Sequence, residues 1–343
     1  MKPWLASVEQ LKTILGRRAD LRLSLEAAIQ SASIPGITDL SQYFQFIGDI
    51  LTHIPTMREM NPAIENFHYI VNCSPGDVLQ TDETFQQWLV AFAKDHGSFL
   101  DTIESSACLD TFINDPSFKI QDYYRGPSGW LTFNQFFARS VKPGKRPVAA
   151  PCNDNLIVAA ADSKYLGCWP IDDQAQLVVK GEAYSIAQLL AGSAYSDRFS
   201  DGVFTHSYLD TSDYHRYHAP VGGIVKEVRI IPGRAFAEEA KEKGKLTSKD
   251  DVGYQFRQTR GILILESSIG YVAAVPVGMG HVSSVNITAE TGSALSKGEE
   301  FGYFSYGGSD MILLFEQRIT FTAKSGTHYK QGQEIAWTVK PPV

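Results

Sequence analysis

Three kinds of side chain that can do nucleophilic and proton-transfer chemistry stand in suggestive places. Ser309 follows Gly307 and Gly308 and opens the apolar run 311–315. His215 and His218 lie three residues apart in Asp213-Tyr214-His215-Arg216-Tyr217-His218. Asp162 comes directly after the apolar stretch 156–161. A serine hydroxyl is a weak nucleophile at its own pKa; a histidine can take its proton, and a carboxylate can fix that histidine's tautomer. Serine, histidine and aspartate from distant segments can therefore assemble one site. His215, His218 and His281 offer a second reading, because imidazoles suit zinc. Each signal also has an ordinary explanation: Gly-Gly-Ser marks turns, an aspartate after a strand caps it, and neighbouring histidines satisfy local hydrogen bonds. Residue types alone leave the choice open.

The common catalytic motifs are missing from the sequence. There is no G-x-x-x-x-G-K-[ST] loop, no G-x-G-x-x-G and no H-E-x-x-H. Gly307-Gly308-Ser309-Asp310-Met311 also misses the G-x-S-x-G nucleophile elbow, because position 311 is Met. A serine hydrolase is disfavoured on that ground.

The elements that must position these residues fall into two textures. Up to about residue 122 apolar residues recur at helical steps. They run through Leu5, Val8, Leu11 and Leu15, then Leu21, Leu25, Ala28 and Ile29, then Leu40, Phe44, Ile47 and Leu51 before Pro55. Thr81 predicts an N-cap, with Asp82 and Glu83 in the first turn, a stripe of Phe85, Trp88, Leu89 and Phe92, and a stop at Gly97. Another helix is expected over 99–113, ending at Asp115-Pro116. Turn residues crowd 121–130, which divides the chain into a helical domain over 1–125 and a second domain over 126–343. Beyond that point the short apolar runs 156–159, 224–225, 261–265, 271–275 and 311–315 alternate with Gly, Pro, Asp and Ser. Such spacing predicts antiparallel strands. One helix over 185–191 interrupts them, and the charged stretch 237–251 reads as a solvated loop with a helical turn. The expected class is α+β, helices first and a mainly antiparallel β domain after.

Composition narrows the function classes. Hydrophobic residues make up 43% and charged residues 20%, so a largely disordered chain is excluded. A net charge of -7 argues against a nucleic-acid partner, which needs a basic face. No apolar run approaches the roughly 20 residues that cross a bilayer, and membrane association is not expected. Charges interrupt the first dozen residues, so neither a signal peptide nor an anchor is expected there. Cys73, Cys108, Cys152 and Cys168 form no C-x-x-C pair and are expected as reduced, mostly buried thiols. Together these readings describe a soluble, cytoplasmic protein.

Longer words in the sequence carry a resemblance. Residues 297–309, KGEEFGYFSYGGS, followed by Ile312-Leu313-Leu314-Phe315, resemble the C-terminal signature of the phosphatidylserine decarboxylase family. So do Phe133-Asn134-Gln135-Phe136-Phe137-Ala138-Arg139 with 142–147 (KPGKRP), Val179-Lys180-Gly181 with Tyr184-Ser185, and 213–220 (DYHRYHAP). These words fall in family order between about residues 130 and 337. The resemblance implies a β catalytic domain of phosphatidylserine decarboxylase type, made as a proenzyme that cuts itself between Gly308 and Ser309. Ser309 would attack the preceding carbonyl, and elimination and hydrolysis would leave a pyruvoyl group on the new N-terminus. By the same resemblance His218 is the base, Asp162 the carboxylate that orients it, and His215 the general acid of decarboxylation. The pyruvoyl group made from Ser309 would be the cofactor, forming a Schiff base with the substrate amine, with no metal and no pyridoxal phosphate. A homodimer is common in the family.

Two departures bear on efficiency and substrate. The family usually has Thr or Ser after the cleaved serine, whereas this chain has Asp310. A carboxylate there would either oppose the developing oxyanion or face away. Residues 277–285, VGMGHVSSV, differ from the V-G-A-x-x-V-G-S-I of lipid-acting bacterial members. They look closer to the soluble branch that decarboxylates free amino acids, including fungal tryptophan decarboxylases, and the helical domain points the same way. The favoured substrate is then a free aromatic amino acid such as tryptophan, with Met279 and His281 lining its pocket. Phosphatidylserine, giving phosphatidylethanolamine, is the alternative, and an uncleaved binding module is a third reading.

Overall fold

The computed structural model describes residues 5–58, 62–179, 182–234, 239–242, 245–248, 253–278, 284–307 and 309–338. The first elements are the helices Ala6–Arg17, Ala19–Ala32, Leu40–Leu51, Pro62–Asn72 and Glu83–Leu100. Their apolar stripes, among them Leu11, Leu21, Leu25, Ile47, Phe67, Trp88 and Phe92, close into one helical core. This is the amphipathic logic read from the sequence.

Boundaries differ where local chemistry competes. The cap of the long helix is Asp82, whose carboxylate accepts the Phe85 N–H at 2.9 Å, rather than Thr81. That helix also runs through Gly97 to Leu100. A glycine there costs about 1 kcal/mol of helix propensity, which the burial of Phe99 and Leu100 offsets. The region 99–113 is not one helix but two single turns, Ile103–Ser106 and Asp110–Ile113. The Thr102 and Ser105 hydroxyls take the carbonyls of Phe99 and Leu100, at 2.7 and 2.9 Å, and so compete with helix continuation. Residues Phe99, Leu100, Phe112, Phe118 and Phe133 share their core with the strands rather than with the helices.

The β region is built on an eight-stranded antiparallel sheet. In spatial order its strands are Ala294–Leu295, Gly223–Ile231, Arg260–Ser267, Gly270–Gly278, Ser309–Phe315, Val203–Leu209, Ser163–Pro170 and His328–Tyr329. Period-2 alternation gives the central Ser309–Phe315 strand two buried faces. Met311, Leu313 and Phe315 pack in one core with Phe137, Tyr217, Phe301 and Phe304. Ile312 and Leu314 pack in another with Phe199, Phe204 and Phe256. The fold is α+β. The stretch expected as a solvated loop with a helical turn instead holds the hairpin Glu239–Glu242 and Lys245–Ser248, paired in register and lying near the Pro62–Asn72 helix. The backbone ladder, from Glu239 opposite Ser248 to Glu242 opposite Lys245, is what the charge run along the sequence did not reveal. Cys73 and Cys108 are half-buried and Cys152 and Cys168 exposed, so the expectation of mostly buried thiols fails. The latter two sit in a turn and at an outward-facing strand position.

Candidate active site

Ser309 is the first residue of its strand, flanked by Leu209 on one neighbouring strand and Gly278 on the other. It is fully buried. Gly307, just before it, has φ +141°, a conformation that glycine tolerates and side chains resist. Gly308 lies outside the described residues, as do Met279 and His281.

The imidazole at Ser309 is His215. Its Nδ1 lies 3.4 Å from Ser309 Oγ, and its Nε2 lies 3.0 Å from the carbonyl oxygen of Asp210. A carbonyl only accepts, so Nε2 carries the proton and Nδ1 is the free base facing the serine hydroxyl. Phe137 stacks on the ring at 3.9 Å and Phe304 meets it edge-on. This burial, with the Arg139 charge as the second cause, lowers the His215 pKa to about 3.

His218 is differently engaged. Its Nδ1 donates to the Gly298 carbonyl at 2.9 Å, and its Nε2 accepts from the Tyr214 hydroxyl at 3.1 Å. Burial lowers its pKa. Asp162 is also buried, but its carboxylate is gripped by Arg146 through Nε at 2.8 Å and Nη2 at 2.6 Å, and it accepts the Gln331 N–H at 2.8 Å. The expected Asp162–His218 hydrogen bond is therefore replaced by an Asp162–Arg146 ion pair. Arg146 belongs to the KPGKRP word, and a guanidinium matches a carboxylate in a bidentate fork that imidazole cannot offer.

Asp310 faces away from the serine. Alternation sends its side chain to the opposite sheet face, where Oδ1 lies 3.1 Å from His206 Nε2, with Gln255 Nε2 3.3 Å from the same nitrogen. Of the two placements open in the sequence, the structure takes the one that keeps the carboxylate off the Ser309 face.

Several residues that matter for placement stood in or just before the family words but carried no assigned role. Thr132 caps the short helix Phe133–Phe137. Asn134 on that helix donates to Asp101 at 3.0 Å and accepts the Tyr306 N–H at 3.1 Å, tying the long helix to the segment before Ser309. Phe137 floors His215. Arg139 donates to the carbonyls of Ser212 and Asp213 at 2.8 and 2.9 Å, shaping the turn that carries His215. The word FNQFFAR thus builds the support of the site. Among the described residues no group of three or more His, Cys, Asp or Glu is placed to hold a metal ion. The ring nitrogens of His215 and His218 are taken up by the partners just named.

The family model for phosphatidylserine decarboxylase matches residues 133–337, more than half of the chain. The chain belongs to the phosphatidylserine decarboxylase family. It is 34% identical over 229 residues to phosphatidylserine decarboxylase proenzyme 2 of Oryza sativa subsp. japonica, covering 66% of this chain and 34% of that protein. The phosphatidylserine decarboxylase proenzyme of Fusobacterium nucleatum is 29% identical over 225 residues, 65% of this chain and 72% of the relative. That of Chlamydia muridarum is 35% identical over 207 residues, 60% and 66% respectively. The chain spans only about a third of the rice relative's length, and the family region begins where the Phe133–Phe137 helix begins. These phosphatidylserine decarboxylase relatives lend no support to the free-amino-acid branch. No helix among the described residues is long and apolar enough to cross a membrane.

Proposed function

We propose that this chain is a self-processing, pyruvoyl-dependent decarboxylase whose substrate is phosphatidylserine. One observation carries the reading: the buried Ser309 hydroxyl faces the unprotonated Nδ1 of His215, at the serine where family members are cut. In the self-cleavage step Ser309 Oγ adds to the Gly308 carbonyl carbon and its proton passes to His215 Nδ1. The Gly308–Ser309 C–N bond then breaks, leaving an ester and a free amine on residue 309. Loss of the Ser309 Cα proton and of the Gly308 carboxylate gives dehydroalanine, and hydrolysis releases ammonia and leaves the keto group. The residues fit such a group: the position is buried, His215 lies against it with Phe137 stacked on the imidazole, and Gly278 across the ladder presents no side chain. Once formed, the pyruvoyl group supplies an electron sink for the pair left behind by departing CO2. His215, 3.4 Å from the Ser309 hydroxyl, would be the side chain to move a proton there, and Phe137, stacked on its ring, would keep water from it.

His218 and Asp162 support this centre in different ways. His218 braces the 298 loop and Tyr214, and Asp162 with Arg146 anchors the start of the Ser163–Pro170 strand. The named relatives, all phosphatidylserine decarboxylase proenzymes, favour the lipid substrate. The spelling of 277–285 favours the second reading, a free aromatic amino acid such as tryptophan. Denaturing intact-mass measurement tests the processing. Two chains parted between Gly308 and Ser309, the shorter carrying pyruvoyl, are expected, and a single uncut chain would overturn it. CO2 release from phosphatidylserine vesicles, and not from free tryptophan, is the expected substrate result; the reverse pattern would install the amino-acid reading.

A further inference from the structure

His328 is the surface end of a hydrogen-bonded chain whose other end is His215. His328 Nε2 lies 2.7 Å from Asp213 Oδ1. The second oxygen of that carboxylate accepts the Asp210 N–H at 2.9 Å. The Asp210 carbonyl in turn accepts the Nε2 proton of His215 at 3.0 Å, which leaves Nδ1 for Ser309. Arg139 grips the same turn from inside through the Ser212 and Asp213 carbonyls. The Asp213 side chain is 12% exposed and that of His328 45%, so the chain runs from solvent to the buried serine. His328 lies beyond Ser309 in sequence and Asp213 before it, so the bond would join the two products of processing.

We propose that His328 is a positioning residue: its bond to Asp213 fixes the 210–215 turn, aims His215 at Ser309, and makes that aim sensitive to pH. The proposal rests on His215 being the site imidazole. The charged groups around His328 are Asp213 in contact, Asp162 and Lys119 further off, and Lys164 opposite it in the strand ladder. Asp213 raises the His328 pKa, and burial raises that of Asp213. The hold is therefore strongest where Asp213 is ionised and His328 protonated. It weakens as pH rises through the raised His328 pKa, because an ion pair becomes a neutral hydrogen bond.

Two arms test this. The first measures hydrogen exchange at the Asp210 amide in the full chain carrying Ser309→Ala, which cannot process and so reads the turn alone. His328→Ala in that background is expected to speed Asp210 exchange roughly two- to fivefold, the range a partly exposed ion pair supports. His328→Gln, which keeps a donor but no titration, is expected to restore slow exchange and flatten its pH dependence. The second arm follows processing of the Ser309 protein, where His328→Ala is expected to slow cleavage by a similar factor and His328→Gln to rescue it. Unchanged Asp210 exchange in His328→Ala would overturn the proposal. Faster exchange with unaltered processing would overturn the link to His215. Failure of the parent protein to process would count against the proposed function and leave the exchange arm to decide the hold.

Discussion

Phe137 lies nearly flat on His215, ring centroids 3.9 Å apart and planes 25° apart. The stack strips water from the imidazole and is part of why its pKa falls to about 3 rather than the ordinary 6.5. Only the unprotonated ring can accept from Ser309. Lowering the pKa keeps that form populated at all pH values above about 3, so processing is expected to show no acid limb near pH 6.5. Phe137→Leu, which thins the cover, is expected to move the acid limb upward toward 6.5. Cleavage rates against pH for the two proteins check this, and a wild-type limb at 6.5 would show that His215 is not held neutral.

The two histidines make separable predictions. His215→Ala removes the acceptor and is expected to slow cleavage by roughly 100-fold or more, the usual worth of a positioned base. His218→Ala loses the Gly298 and Tyr214 bonds and is expected to slow it by no more than about tenfold. Gel densitometry of the two products over time measures both. The opposite ranking would return the base to His218, as the family resemblance implies.

Asp162 and Arg146 have side chains 4% and 3% exposed and form a bidentate pair. Removing Arg146 strands the Asp162 carboxylate in a dry site, and removing Asp162 leaves the buried guanidinium, among the described residues, only the Asp122 carboxylate, 3.7 Å away. Asp162→Asn and Arg146→Met are each expected to cost roughly 3–5 kcal/mol. The double variant Asp162→Leu with Arg146→Met is expected to cost clearly less than the sum, because no charge is left alone. Denaturant melts of the four proteins form the cycle, and additive losses would mean that the carboxylate's energetic partner lies elsewhere.

Asp310→Thr would give the residue the family usually carries. The side chain lies on the sheet face opposite Ser309, so the processing rate is expected to stay within about threefold while stability falls. His206 loses a buried partner, a loss of about 1–3 kcal/mol. A large change in cleavage with unchanged stability would instead place the carboxylate on the reaction path.

Much of the fold was legible because it depends on short-range periodicity. The stripes of Leu11, Leu15, Leu21 and Leu25 specify helices, and the run Ile312-Leu313-Leu314-Phe315 specifies a strand buried on both faces. Element ends were less legible. Thr102 and Ser105 break the 99–113 helix through side-chain bonds that a hydrophobic pattern does not encode. Ser309 and His215 stood out in the sequence as residues able to do chemistry, but the contact between them did not.

The sequence by itself determined the chemistry available: a serine after two glycines, two histidines three apart, and an aspartate directly after an apolar stretch. It left both placements of Asp310 open, and the pairing of Ser309–Phe315 as one strand put that carboxylate on the face opposite Ser309, beside His206. Only the tertiary structure decided which histidine meets the serine. His215 and His218 are the same side chain in the same word, but Arg139 and Phe137 arrive from another segment, and Asp210 closes the turn, so that one of them is buried toward Ser309. Arg146 likewise wins Asp162 because folding brings a fork of donors to both carboxylate oxygens. Hydrogen-bond pairing depends on distance and direction at the scale of an ångström, and no spacing along the chain fixes that.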